Sequence, residues 1–168
     1  MLNFPRINHD RVPSKAYSSP AKVHIVAIDG EAKPVVAQYN PTEITIDKRV
    51  PWNKHKNPKG NVPMLEFTNA ESRVLSMDLF FDGLEGECDV RGAVDALMGL
   101  TLIDVKAKSD SERHPPRVLV VFGLGESFRG VIESIKVSYS MFHPDGVPAR
   151  ATCSLSVKEV DAVQAKSG

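Results

Sequence analysis

Leu75, Met77, Leu79 and Phe81 share one parity, with Ser76 and Asp78 between them, and this alternation constrains the fold more than any other stretch. Successive side chains of a strand point to opposite faces, so the pattern predicts a strand with one buried and one wet face. Gly83 and Gly86 break it. Beyond them Val90, Ala93, Val94, Leu97 and Met98 recur at helical spacing, which predicts an amphipathic helix running on to Ile103. Asp89 is placed to accept the free N–H groups of its first turn. A long strand feeding one short helix is the centre of a chain that is otherwise β-prone.

Around it, short apolar runs alternate with turn residues. Val23–Ile28 is β-prone and closes on Asp29-Gly30, a hairpin signal, with Val35–Tyr39 as its return partner. Ile44–Ile46 and Leu65–Phe67 are short strands. Val118–Phe122 is continuously apolar and suits a strand covered on both faces. Ile135–Tyr139 and Ala151–Val157 alternate again across a turn at Asp145-Gly146. Between Lys48 and Pro63, Pro51, Pro58, Gly60 and Pro63 predict a loop of roughly 15 residues, a length at which connections are often functional. The expected fold is mainly β, an antiparallel barrel or sandwich with one flanking α-helix. Residues 1–21, with Pro5, Pro13 and Pro20, are expected to be an irregular arm, 22–160 the β domain, and 161–168 a flexible tail.

The 21 basic and 21 acidic residues balance, so bulk attraction to nucleic acid or anionic lipid is not indicated. They are segregated along the chain. Residues 1–60 carry ten Lys/Arg against five Asp/Glu, residues 61–104 two against nine, and residues 105–168 nine against seven. The basic excess concentrates at Lys48, Arg49, Lys54, Lys56 and Lys59 beside Trp52, the sole tryptophan. The acidic excess gathers at Asp82, Glu85, Glu87 and Asp89. Trp52 either packs the loop onto the sheet or presents an interface, where Trp and Arg are enriched. The opposite segments either cancel within one copy or meet between copies, where complementary charge sets register and partner choice.

Little catalytic chemistry is visible. The histidines at 9, 24, 55, 114 and 143 form no H-E-x-x-H, so no zinc site is expected. The acidic turn lacks the spacing of a calcium loop, and Gly123-x-Gly125 is not a dinucleotide fingerprint. Cys88 and Cys153 stand apart and suggest neither a disulfide framework nor a nucleophile. A hydrolase built from Asp78, Asp82 or Glu85 with His143 has no motif behind it. No apolar run approaches the ~20 residues that span a bilayer, and the N-terminus has no secretory apolar core. The expectation is a cytoplasmically made, non-enzymatic protein with no cofactor or metal: an assembly subunit, or alternatively a monomeric carbohydrate- or peptide-binding β domain.

Several segments resemble the contractile injection system tube family. They are Tyr39-Asn-Pro-Thr-Glu43, Trp52-Asn-Lys54, Leu65-Glu-Phe67, Leu75-Ser-Met-Asp-Leu-Phe-Phe-Asp82 with Asp89-Val-Arg91, Phe128-Arg-Gly-Val-Ile-Glu-Ser134, and Phe142-x-Pro-Asp-Gly-x-Pro-x-Arg-Ala151. The similarity runs from about Val23 to Glu159. It implies a phage-tail-like particle component, a β barrel with a flanking helix that stacks as a six-fold ring near the baseplate, between the trimeric spike and the tube. Its implied partners are copies of itself, tube subunits and the spike or hub protein. Some relatives carry a peptidoglycan-binding LysM module after this domain; this chain ends nine residues beyond Glu159, so that binding is not carried over.

Overall fold

A computed structural model describes residues 22–84, 88–103, 113–123 and 126–160. The expected arm at 1–21 and tail at 161–168 lie outside them, as do Glu85 and Glu87. In chain order the elements are β1 (His24–Ala27), β2 (Val35–Val36), β3 (Ile44–Asp47), β4 (Trp52–His55), β5 (Met64–Phe67), β6 (Val74–Asp82), α1 (Val90–Gly99), β7 (Val118–Phe122), β8 (Glu126–Phe142) and β9 (Pro148–Glu159). Seven strands form one antiparallel sheet in the order β2-β1-β7-β8-β9-β6-β3. The sheet curls into a half-barrel with one helix against it, so the mainly β class with a flanking helix holds. β4 and β5 pair only with each other, as a separate two-stranded hairpin.

The alternation in β6 is observed as written: Leu75, Met77, Leu79 and Phe81 are buried, Ser76 is half-buried and Asp78 exposed. β9 supplies the matching inner row, Ala151, Cys153, Leu155 and Val157, in register with Phe81, Leu79, Met77 and Leu75. Ile25, Val118 and Val120 of β1 and β7 add to the same core, and α1 covers it with Val90, Val94 and Leu97.

Four local expectations are corrected. The predicted loop at 48–63 is largely a hairpin: Trp52 pairs with Phe67 and His55 with Met64, leaving only residues 56–63 as its connection. The prolines flank the pairing instead of interrupting it, which proline-free strand interiors permit. The helix ends at Gly99, with Leu100 as its C-cap, short of Ile103. Asp89 occupies the N-cap position but makes no side-chain cap hydrogen bond; only its backbone carbonyl accepts, from the Ala93 N–H. β7 buries Val118 and Val120 fully but leaves Leu119 and Val121 half-buried, so it is not covered on both faces.

β8 is the strand that ties the sheet together. Its first part, Glu126–Gly130, pairs with β7. From Gly130 to Phe142 it pairs with β9 on its other side, with a bulge between Ile132 and Ser134. Gly130 sits at the changeover, buried against the Lys158 backbone, with no room for a Cβ. Past Gly130, the side of β8 that β7 had occupied carries no strand partner among the described residues. β3 ends the sheet at the opposite side. Among the described residues the half-sheet β8-β9-β6-β3 is therefore open at both sides.

Candidate assembly interface

Three surfaces stand out. The first is the pair of open edges. The side chains on the core-facing row run apolar right up to each edge and remain partly uncovered: Ile44 and Ile46 on β3, and Ile135, Val137 and Tyr139 on β8. Ile46 and Tyr139 are each 44% exposed. The opposite face is small and polar. Thr45, Ser76, Asp78, Ser134, Lys136, Ser154 and Ser156 line a shallow groove there of about 350 Å³. A sheet with an apolar underside and unpaired backbone at both margins is a template for another strand.

The second surface is the β4–β5 hairpin, every residue of which is exposed. Directly paired residues share a face, so Trp52, Lys54, Leu65 and Phe67 lie together. Trp52 and Phe67 meet edge to face at 5.6 Å, an arrangement aromatic pairs prefer. On the other face His55 Nε2 lies 2.6 Å from Glu66 Oε2. Trp52 is thus packed on its own hairpin and not down onto the sheet. At the root, Lys48 Nζ donates to the Glu71 carbonyl at 2.5 Å and Glu71 N–H donates to the Arg49 carbonyl at 3.3 Å. Lys54, Lys56 and Lys59 are exposed farther out.

The third surface lies at the far end of β6. The Gln38 amide brackets the end of that strand, donating to the Asp82 carbonyl at 2.9 Å and accepting from Asp82 N–H at 2.8 Å. This holds Tyr39 beside Phe80, ring centroids 6.0 Å apart. The Arg150 guanidinium lies 6.0 Å from the Phe80 centroid. It is pinned by Asp82, with Nε to Oδ2 at 2.9 Å, and donates to Met141 Sδ at 3.0 Å. Met141 has φ 51°, the one left-handed non-glycine among the described residues.

Of the residues singled out from sequence, Lys48, Arg49, Trp52, Lys54, Lys56 and Lys59 sit on or at the root of the hairpin. Asp82 and Asp89 sit at the opposite end of β6, and the structure brings neither group to the other within one copy. Asp82 does not act as a free carboxylate. The Leu84 N–H and then the Arg150 guanidinium hold it below the usual carboxylate range. The cluster Tyr39, Phe80, Arg150 and Met141 went unpredicted; Arg150 and Phe80 sit far apart in sequence and are joined only by the β6–β9 pairing. Burial pushes the Cys153 thiol up to about 11 and raises Cys88 as well, which makes poor nucleophiles of both. Among the described residues no three His, Cys, Asp or Glu side chains converge as a metal site, and no helix is long and apolar enough to cross a membrane.

A family model described as contractile injection system tube protein matches residues 18–167. The chain belongs to that family. Among curated proteins none matches it. As a contractile injection system tube protein it is a structural component of such a particle, from a family of structural parts and not of enzymes. Membership of the family implies that this tube protein assembles with other components of the injection system.

One clamp of the tube protein's own fold joins Arg73 to Glu159. Arg73 Nε and Nη2 both donate to Glu159 Oε1, at 2.9 and 2.5 Å, and Arg73 N–H donates to Oε2 at 3.1 Å. The side-chain bonds from Arg73, then its backbone N–H, hold Glu159 below the ordinary range against the opposing effect of burial. A depressed carboxylate stabilises the fold fully above its unfolded value, roughly 4.3 for Glu, and loses that contribution as pH falls toward the folded value. Thermal melts from pH 7 to pH 3 should therefore show the native chain losing more Tm below about pH 4 than Glu159→Gln, which starts lower and falls less. Parallel profiles would mean that the clamp contributes nothing.

Proposed function

We propose that this tube protein closes with five further copies into a six-fold ring at the baseplate end of the inner tube and joins the tube to the trimeric spike. The observation that carries the ring is the half-sheet β8-β9-β6-β3, open at both sides, with an apolar row left partly uncovered at each margin. Pairing β3 of one copy with β8 of the next covers Ile44 and Ile46 against Ile135, Val137 and Tyr139. It also satisfies two rows of backbone donors and acceptors that are otherwise left to water. The contact is heterologous, one patch meeting a different patch, which is what a closed ring of identical subunits requires. The place at the baseplate end rests on the resemblance of the quoted segments to tube-end subunits, with tube subunits above and the spike or hub protein below as partners.

In such a ring the basic set Lys48, Arg49, Trp52, Lys54, Lys56 and Lys59 and the acidic set Asp82, Glu85, Glu87 and Asp89 serve contacts between rings, since the first set lies near the start of β6 and Asp82 and Asp89 near its end. Ile46→Lys with Tyr139→Lys puts a positive charge on each margin of the seam. Both positions are 44% exposed, so the isolated chain should keep its stability within about 0.5 kcal/mol. Electron microscopy of particles assembled with the double variant should find no rings of this chain. Normal rings from a folded double variant would refute the edge-to-edge reading.

A further inference from the structure

We propose that residues 4–17 of this chain lie as a strap across the Tyr39–Phe80–Arg150–Met141 cluster of the same copy. The strap, and not bare aromatic rings, is then what this end of the subunit presents to whatever adjoins it. The inference is confined to one copy and does not rest on the ring reading.

The cluster is set before anything covers it. Tyr39, Met141 and Phe142 are each about half exposed or more. Phe80 meets Tyr39 on one side and the Arg150 guanidinium on another, and Arg150 reaches on to Met141. Asp82 holds Arg150, and Gln38 holds the backbone beside Tyr39. Met141 keeps a left-handed φ of 51°, a conformation that persists only where the surroundings enforce it. A patch fixed in this way loses little freedom on docking. Its margin is acidic: Asp78 lies two residues from Phe80 on the same face and Asp145 in the turn after Phe142, both exposed.

The place where the arm meets the fold selects it as the occupant. His24 pairs with Val36, and the Val23 carbonyl accepts from the Ala37 N–H at 2.9 Å. The same register sets Lys22 level with Gln38, whose carbonyl accepts from Lys22 Nζ at 3.1 Å. The chain before Lys22 therefore sets out level with Tyr39, at the near margin of the cluster. From Tyr39 the strip crosses β6, β9 and β8, about 16 Å in all at the usual strand spacing. Extended chain advances about 3.3 Å per residue, so Tyr17 alone reaches that far from Lys22 and the rest of the arm is available to lie back over it. So short a tether holds the arm at high effective concentration. Composition fits the surface as well. Phe4, Ile7, Val12 and Tyr17 supply apolar side chains, while Arg6, Arg11 and Lys15 outnumber Asp10 and suit the acidic margin. Pro5 and Pro13 fix φ and leave less freedom to be lost on docking. Residues 1–17 precede the match to the tube-protein family, so the strap is an addition to the shared domain.

Methionine oxidation reads the cover, because peroxide must reach the sulfur to convert the thioether to a sulfoxide. Met141, Met98 and Met64 are comparably exposed in the described fold. The full chain, carrying Ile46→Lys and Tyr139→Lys to keep copies apart, is treated with dilute hydrogen peroxide and followed by peptide mass spectrometry. Met141 should oxidise about fivefold more slowly than Met98 and Met64. Arg150 bonds the Met141 sulfur with or without a strap, so variants of the arm isolate the cover. Phe4→Ser, Ile7→Ser, Val12→Ser and Tyr17→Ser together should erase the difference. Arg6→Glu, Arg11→Glu and Lys15→Glu together should reduce it about twofold at low salt. Equal rates with the native arm overturn the proposal, and so does a difference that survives the four serines. Protection that disappears on dilution would assign the cover to another copy and overturn it too.

Discussion

Phe81→Ala should lower the unfolding free energy by about 3–5 kcal/mol, the range for emptying a buried aromatic site that cannot fully collapse. Phe81 is 1% exposed, paired with Ala151 on β9, and part of the core that α1 covers. Its partner is already the smallest residue with a Cβ, so no neighbour across the ladder can move in to fill the space. Against a domain stability of about 5–15 kcal/mol this is a large fraction. In urea the midpoint should drop with the slope unchanged. Phe80→Ala, one residue away on the other face and 38% exposed, is the internal control. It forfeits an Arg150–ring interaction of about 0.5–1 kcal/mol and the Tyr39 ring contact of about 0.5–1.5 kcal/mol, together less than the loss at Phe81. Equal losses at 80 and 81 would contradict the facing of β6.

Gly130→Ala should cost about 3 kcal/mol, the upper end of what overpacking imposes. An added Cβ would overlap the Lys158 carbonyl and lie 2.7 Å from Val157 Cγ1. The obstruction is backbone, so no rotamer relieves it. The position is where β8 leaves β7 for β9, in register with both Val118 and Glu159; moving it disturbs both ladders together. Gly99→Ala should have the opposite sign. Nothing lies within 4 Å of a Cβ there, and removing glycine's freedom from the unfolded chain should stabilise by about 0.4–1 kcal/mol. Chemical denaturation of the two variants side by side checks both signs, and a neutral Gly130→Ala would mean that β8 and β9 do not cross as closely as described.

The parts of the fold that were legible in the sequence are those governed by local periodicity. Leu75 to Phe81 alternated and are a strand; Val90, Val94 and Leu97 recurred at helical spacing and are the buried face of a helix. Leu65–Phe67 reads as a strand, but its partner Trp52–His55 was missed because it is exposed on both faces, so no apolar alternation marks it, and Pro51, Pro58 and Pro63 nearby read as loop. Only the cross-strand partnership of Trp52 with Phe67 gives it away. Asp89 was assigned a capping bond on residue type and position, but its carboxylate lies near Gly92 without reaching an N–H. The aromatic cluster between Tyr39 and Met141 was out of reach, since it depends on a φ of 51° at one residue and on strands 70 positions apart in register.

β8 runs as one strand from Glu126 to Phe142, with a bulge after Ile132, shared between the β7 side of the core and the open margin. Interstrand hydrogen bonds in an antiparallel ladder lie across the strands. A push directed along β8 is therefore borne by its whole ladder with β9 in parallel, whereas a pull at right angles would unzip that ladder one pair at a time. The β8–β9 ladder is therefore stiff to thrust along the strand and weak to peeling across it, a mechanical anisotropy written into the longest strand of the sheet.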